Sequence, residues 1–136
     1  MLNDEMKETL LQSARAVQQW VYAPYSNYPV GAAVLSKSGR IYDGVNIENA
    51  SYSLTICAER TAVFKAVSQG EREFEAIAVV TRDGGSPCGA CRQVLAEFGL
   101  DTKVFIAKES GQVVWETTVE ELLPGAFLPS NLQGSN

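Results

Sequence analysis

Ala76-Ile77-Ala78-Val79-Val80-Thr81 is a continuous apolar run. Without alternation, it predicts a strand buried on both faces, the mark of parallel pairing. Arg82-Asp83-Gly84-Gly85-Ser86-Pro87 then reads as a loop. A helix is expected from Cys88 to about Phe98, ended by Gly99. Val104 to Ala107 is a further strand. A strand, helix, strand unit with a right-handed crossover sets two strands side by side and parallel.

Working outward adds the other elements. Glu109-Ser110-Gly111 is a turn and Val113 to Glu116 a strand. Thr118-Val119-Glu120-Glu121 has the capping-box pattern and opens a short last helix, stopped by Pro124-Gly125. Upstream, Asn3 is a candidate N-cap. Leu2, Met6, Leu10, Ala14, Val17 and Val21 recur at helical spacing, predicting a helix over residues 3–21. Val30 to Leu35 and Arg40 to Val45 flank Lys37-Ser38-Gly39 and predict a hairpin. Asn46 to Ser53 is a polar loop, and a second helix is expected from Thr55 to Gln69. The expectation is an α/β chain, a three-layer α-β-α sandwich with a mixed five-stranded sheet. One domain is expected over residues 1–136, with a frayed tail from 128 to 136.

The net charge of −5 argues against a nucleic-acid partner, because polyanion binding needs clustered Lys and Arg, and the 11 basic residues are scattered. No apolar run reaches the roughly 18 residues of a membrane span. Asn3, Asp4 and Glu5 stand where an export signal would carry positive charge, so a cytoplasmic location and no membrane partner are expected.

All 3 cysteines fall in Cys57-Ala58-Glu59-Arg60 and Pro87-Cys88-Gly89-Ala90-Cys91, and the chain has no histidine. Both arms are expected at helix starts, where the positive dipole end favours thiolate. A structural zinc site wants four protein ligands. Three cysteines leave one position open, the pattern of catalytic zinc, although an Asp or Glu could close the shell. Three thiolates around Zn2+ sum to −1. Arg60 and Arg92 are therefore expected to supply compensating charge, at least one of them donating to the sulfurs. On a regular helix Glu59 points roughly 200° from Cys57, so it is no ligand. With histidine absent, it is the candidate to carry the proton.

Cys57-Ala58-Glu59-Arg60 with Pro87-Cys88-Gly89-Ala90-Cys91-Arg92-Gln93 resembles the signature of the zinc nucleoside deaminases, Cys57 standing where many members have histidine. Tyr25-Ser26, Val30-Gly31-Ala32-Ala33, Gly44-Val45-Asn46-Ile47-Glu48-Asn49-Ala50 and Glu121-Leu122-Leu123-Pro124-Gly125-Ala126-Phe127 are similar to the small, homotetrameric cytidine deaminases. The resemblance runs from about Tyr22 to Phe127. It implies hydrolytic deamination of cytidine and deoxycytidine in pyrimidine salvage, with one Zn2+ per subunit held by Cys57, Cys88 and Cys91. It implies that Glu59 moves protons, that the Ala58 amide holds the pyrimidine carbonyl, and that Asn46 and Glu48 bind the ribose. Tyr28, where the family usually has phenylalanine, would pack on base or sugar. Phe127 would close the pocket of a neighbouring subunit in a homotetramer.

Three other readings compete. A zinc deaminase of another base or of a blasticidin-like drug would use the same chemistry. A structural zinc module would have no role for Glu59. A thiol oxidoreductase using Cys88 and Cys91 leaves Cys57 and Glu48 unexplained.

Overall fold

A computed structural model describes residues 2–133. Helix α1 spans Asp4–Ala16 and opens on Asn3, whose side chain accepts from the Met6 amide at 2.8 Å. The expected continuation to residue 21 tightens into a 3-10 turn over Val17–Trp20, a common way for a helix to end. Strands β1, Gly31–Ser36, and β2, Ile41–Val45, form the expected antiparallel hairpin. Helix α2 covers Ala58–Ser68. It begins later than Thr55 because Ile56 stays extended and bridges Ile47, with both amide-to-carbonyl bonds at 3.0 Å. Then come β3, Phe74–Thr81, α3, Gly89–Phe98, β4, Lys103–Lys108, and β5, Val113–Thr118. Helix α4, Val119–Leu122, opens on Thr118, whose hydroxyl accepts from the Glu121 amide at 3.2 Å.

The sheet runs β2-β1-β3-β4-β5. Only β3 and β4 pair in parallel; β3 lies antiparallel to β1 on its other side. The apolar run of β3 therefore reports burial on two faces, as its pattern implied, with parallel pairing on one edge alone. One face carries α1, with Leu10, Leu11 and Ala14 packed on Leu35, Val80 and Phe105. The other carries α2 and α3, with Ala62, Val63 and Leu95 packed on Val34, Ile77 and Ile106. Each fully buried aliphatic side chain stabilises such layers by about 1.5–3 kcal/mol. The layers approach most closely at two glycines. A Cβ on Gly31 would lie 1.9 Å from the Ala14 carbonyl oxygen, and one on Gly44 would lie 2.5 Å from the Ala62 nitrogen. The absent side chain at Gly44 lets the start of α2 sit directly on β2.

The tail expected to fray from 128 instead forms a short helix, α5, over Pro129–Gln133. The Leu128 amide donates to Asn131 Oδ1 at 2.7 Å, and the Asn131 amide donates back to the Leu128 carbonyl at 2.9 Å. Proline at the first helical position suits that start. Residues 134–136 of the expected tail lie outside the described residues. No helix among the described residues is long and apolar enough to cross a membrane.

Candidate active site

Cys57 and Cys88 are the N-cap residues of α2 and α3, both in extended conformation and neither making a side-chain cap bond. Each helix thus begins one residue after its cysteine. Cys91 follows in the first turn of α3 and is fully buried. The three sulfurs lie within 4.8 Å of one another. Cys57 Sγ and Cys88 Sγ are 3.8 Å apart, and Cys88 Sγ and Cys91 Sγ 3.5 Å. A tetrahedral zinc site with Zn–S bonds of ~2.3 Å has sulfur–sulfur edges of about 3.8 Å. The donor set therefore fits zinc in number, type and spacing.

The surrounding charge fits as well. Arg60 donates from Nη2 to Cys57 Sγ at 3.4 Å, while its Nε is buried without a partner. The Cys57 thiol ionises more readily than a free one. The Cys91 thiol, above all, pulls it down to about 5, with Arg60 and Cys88 acting in the same direction against burial. Cys91 is pushed far up, first as the donor to Cys57 and then by burial. Arg92 does not take the expected place beside the sulfurs. Its Nε donates to the Pro87 carbonyl at 2.8 Å, its Nη1 to the Leu122 carbonyl at 2.8 Å, and its Nη2 to Ser86 Oγ at 3.0 Å. Arg92 ties α4 to the loop before Cys88 instead.

Glu59 sits in the first turn of α2 and is 5% exposed. Burial pushes its carboxyl up to about 7, with the charge of Cys57 adding to the rise and Arg60 opposing it. The 200° separation of a regular helix does not apply, because Cys57 is an extended cap residue. Glu59 and Cys57 instead line the same cavity, of about 420 Å³, together with Cys88. A buried carboxyl that can hold or release a proton near neutrality suits proton transfer.

The walls of this cavity include Tyr28, Asn46 and Glu48, as well as Ser26, Thr55 and Gly85. Asn46 and Glu48 flank Ile47, whose backbone is bridged on one side to Tyr22 and on the other to Ile56. That short ladder turns both side chains to the same wall, as their alternate positions suggested. Both are already committed within the chain. Asn46 Oδ1 accepts from the Val30 amide at 2.9 Å, and its Nδ2 donates to the Tyr28 carbonyl at 2.9 Å. Glu48 Oε1 accepts from the amides of Tyr25 and Ser26 at 2.9 and 3.1 Å, and its Oε2 accepts from the Ser26 hydroxyl. The Ser26 hydroxyl, above all, holds the Glu48 carboxyl below the usual carboxylate range. The two residues expected on a ribose therefore also hold the segment 25–30 in place.

Ala58 is the first residue of α2, so its amide is one of the donors that helix geometry leaves without an intrahelical acceptor. Phe127 is 57% exposed and is not part of its own chain's cavity wall. Gln93 Nε2 fixes its carbonyl at 2.8 Å. Ser26, Thr55, Asp83 and Gly85 are not singled out by sequence patterns. Only Tyr25-Ser26, matched as part of the resemblance, offers a signal.

A family model described as the cytidine and deoxycytidylate deaminase zinc-binding region matches residues 4–108. The cytidine deaminase of Sporosarcina psychrophila is 52% identical over 128 residues, 92% of this chain and 93% of its own. The crystal structure of cytidine deaminase from Burkholderia pseudomallei is 44% identical, with a TM-score of 0.84 over 93% of this chain and 100% of that one. Blasticidin-S deaminase of Bacillus cereus is 36% identical over 109 residues, 73% of this chain and 76% of its own. With three sulfurs at zinc spacing, a buried carboxyl beside them and a match over most of its length, this chain belongs to the cytidine and deoxycytidylate deaminase family.

Proposed function

We propose that the chain is a zinc-dependent hydrolase that deaminates cytidine and deoxycytidine to uridine and deoxyuridine, releasing ammonia in pyrimidine salvage. The observation that carries the reading is the cavity itself, which Cys57 and Cys88 of the cysteine cluster and the buried Glu59 line together with Tyr28, Asn46 and Glu48. Cys57, Cys88 and Cys91 would hold one Zn2+ per subunit, which supplies the Lewis acidity that makes water a nucleophile at neutral pH. Glu59 would take one proton from the attacking water and give it to the ring nitrogen, then take a second from the hydroxyl added to the ring carbon and give it to the departing amine, which leaves as ammonia. Its raised proton affinity lets it do both near neutrality. The Ala58 amide holds the pyrimidine carbonyl. Asn46 and Glu48 meet the ribose with the hydrogen-bonding capacity left beside their intrachain partners. Arg60 balances the charge of the sulfurs; Arg92 ties the loop that delivers Cys88 to α4.

The subunits would form a homotetramer, as the resemblance implies, and surface chemistry supports an interface. Tyr22, Tyr25, Ile47, Tyr52 and Leu54 are exposed apolar side chains close in sequence to the cavity wall, and such surface usually marks an interface. Phe127, exposed on its own chain, would then close a neighbour's pocket. The location proposed is the cytoplasm.

The test is zinc content per chain alongside the ultraviolet change of cytidine on conversion to uridine, for the wild type and Glu59→Ala. One zinc in each, with kcat lower by about 10³-fold in the variant, is the expected outcome. Bound zinc with no turnover of any nucleoside by the wild type would favour a structural module. Turnover of blasticidin S without turnover of cytidine would sink the cytidine reading.

A further inference from the structure

Two loops contribute to the lining of the cavity. One is the segment 25–30, already held by Asn46 and Glu48. The other is 82–87, which runs from the end of β3 to Cys88. Tyr28 and Gly85 both line the cavity. They meet closely, since a Cβ on Gly85 would lie 2.8 Å from the Tyr28 hydroxyl. That hydroxyl donates to Asp83 Oδ1 at 2.5 Å. The neighbouring Arg82 reaches the same segment from outside. Its guanidinium lies 5.3 Å from the Tyr28 ring centroid, and its Nη2 donates to the Asn27 carbonyl at 3.0 Å. Loop 82–87 is internally braced, with Thr81 Oγ1 accepting from the amides of Gly84 and Gly85, each at 2.8 Å.

We propose that the Tyr28–Asp83 hydrogen bond is a latch that sets the width of the nucleoside pocket, with Asp83 a positioning residue that acts through Tyr28. The assignment rests on reading the cavity as a nucleoside pocket. A hydroxyl-to-carboxylate bond is among the stronger side-chain interactions. Here it joins two irregular segments that have no sheet pairing between them. Burial raises the Tyr28 phenol pKa, and the hydrogen bond from Tyr28 lowers that of the Asp83 carboxyl. Donor and acceptor therefore stay in the right protonation states around neutrality. With the latch closed, both loops are ordered before substrate arrives, so less ordering cost falls on binding. Neither group reaches the sulfurs or Glu59 among the described hydrogen bonds. Its loss should appear in KM rather than kcat.

The experiment compares zinc-loaded wild type with Tyr28→Phe, Asp83→Ala, Asp83→Asn and the double variant Tyr28→Phe/Asp83→Ala. It reads kcat and KM for cytidine, and amide hydrogen exchange at Gly84 and Gly85. Tyr28→Phe keeps the ring and removes only the donor. Expected are KM values raised about tenfold in Tyr28→Phe and in Asp83→Ala, with kcat within about twofold. The double variant should be no worse than the worse single one, and Asp83→Asn, which keeps an acceptor, should recover most of the loss. Exchange at Gly84 and Gly85 should quicken about tenfold in Tyr28→Phe, although the change is made on the other loop. Multiplying KM effects in the double variant, or unchanged KM and exchange in Tyr28→Phe, would overturn the latch. Coupled exchange in a wild type that ignores cytidine would support the latch and overturn the nucleoside reading instead.

Discussion

Helices α1 and α4 begin on side chains that satisfy their own amides, Asn3 and Thr118, whereas α2 and α3 begin on Cys57 and Cys88, which make no cap bond. A good cap is worth about 1 kcal/mol. The first pair of helices uses its starts for stability. The second pair forgoes that gain, and its positive dipole ends lie beside the sulfurs, where they favour thiolate. Even helices on one face of the sheet need not share a role, since α4 packs with α2 and α3 yet keeps its own cap. The α1 face is packing alone, while the α2 and α3 face joins packing to the site.

The contrast can be broken most sharply at the metal. If zinc replaces the missing caps, Cys91→Ser should lose the ion and lower Tm by roughly 10 °C or more, as should chelation of the wild type. Calorimetry with and without chelator checks this, and an unchanged Tm would mean that α2 and α3 hold their own starts. The two arginines divide next. Arg60→Gln should weaken zinc binding by about 10–100-fold in a chelator competition. Arg92→Gln should leave zinc affinity near wild type but lower stability by about 2 kcal/mol in urea unfolding, since carbonyls of the Ser86–Cys88 loop and of α4 lose their donor. Smaller still, Asn3→Ala and Thr118→Ala should each lower stability by about 1 kcal/mol with zinc content and kcat unchanged.

The smallest effect concerns the far end of α2. Glu71 accepts from the hydroxyls of Ser36, Ser38 and Tyr42. The Ser36 hydroxyl, above all, holds its pKa below the ordinary carboxylate range. A depressed folded pKa contributes stability above the unfolded value and loses it as pH falls through the folded one. Glu71→Gln should therefore flatten the acid side of a Tm-against-pH curve, below about pH 4, and leave Tm near neutrality lower than in wild type.

Much of this architecture is legible in the sequence. Apolar runs mark four strands and a hairpin pattern the fifth, Ile41–Val45, and the spacing of Leu10 and Ala14 marks the buried face of α1. Three cysteines without histidine point to an open metal shell. What the sequence hides depends on partners distant along the chain. Ile56 looks compatible with a helix, yet its pairing with Ile47 delays α2 to Ala58. Arg92 adjoins Cys91, but one helical step turns a side chain by about 100°, towards the carbonyls of Pro87 and Leu122. Asn46 and Glu48 are legible as wall residues but not as braces for 25–30, because the groups they bind are mostly backbone amides and carbonyls. Asp83 stands in a turn sequence, where an aspartate has ample local reason to occur.

The three sulfurs and the carboxyl beside them all lie within the first 91 residues, whereas the sheet is completed only by β4 and β5. A chain made from its N-terminus therefore exposes all three of these cysteines before the strand that pairs in parallel with β3 has emerged. The ligand set is complete in composition well before the scaffold that fixes its shape.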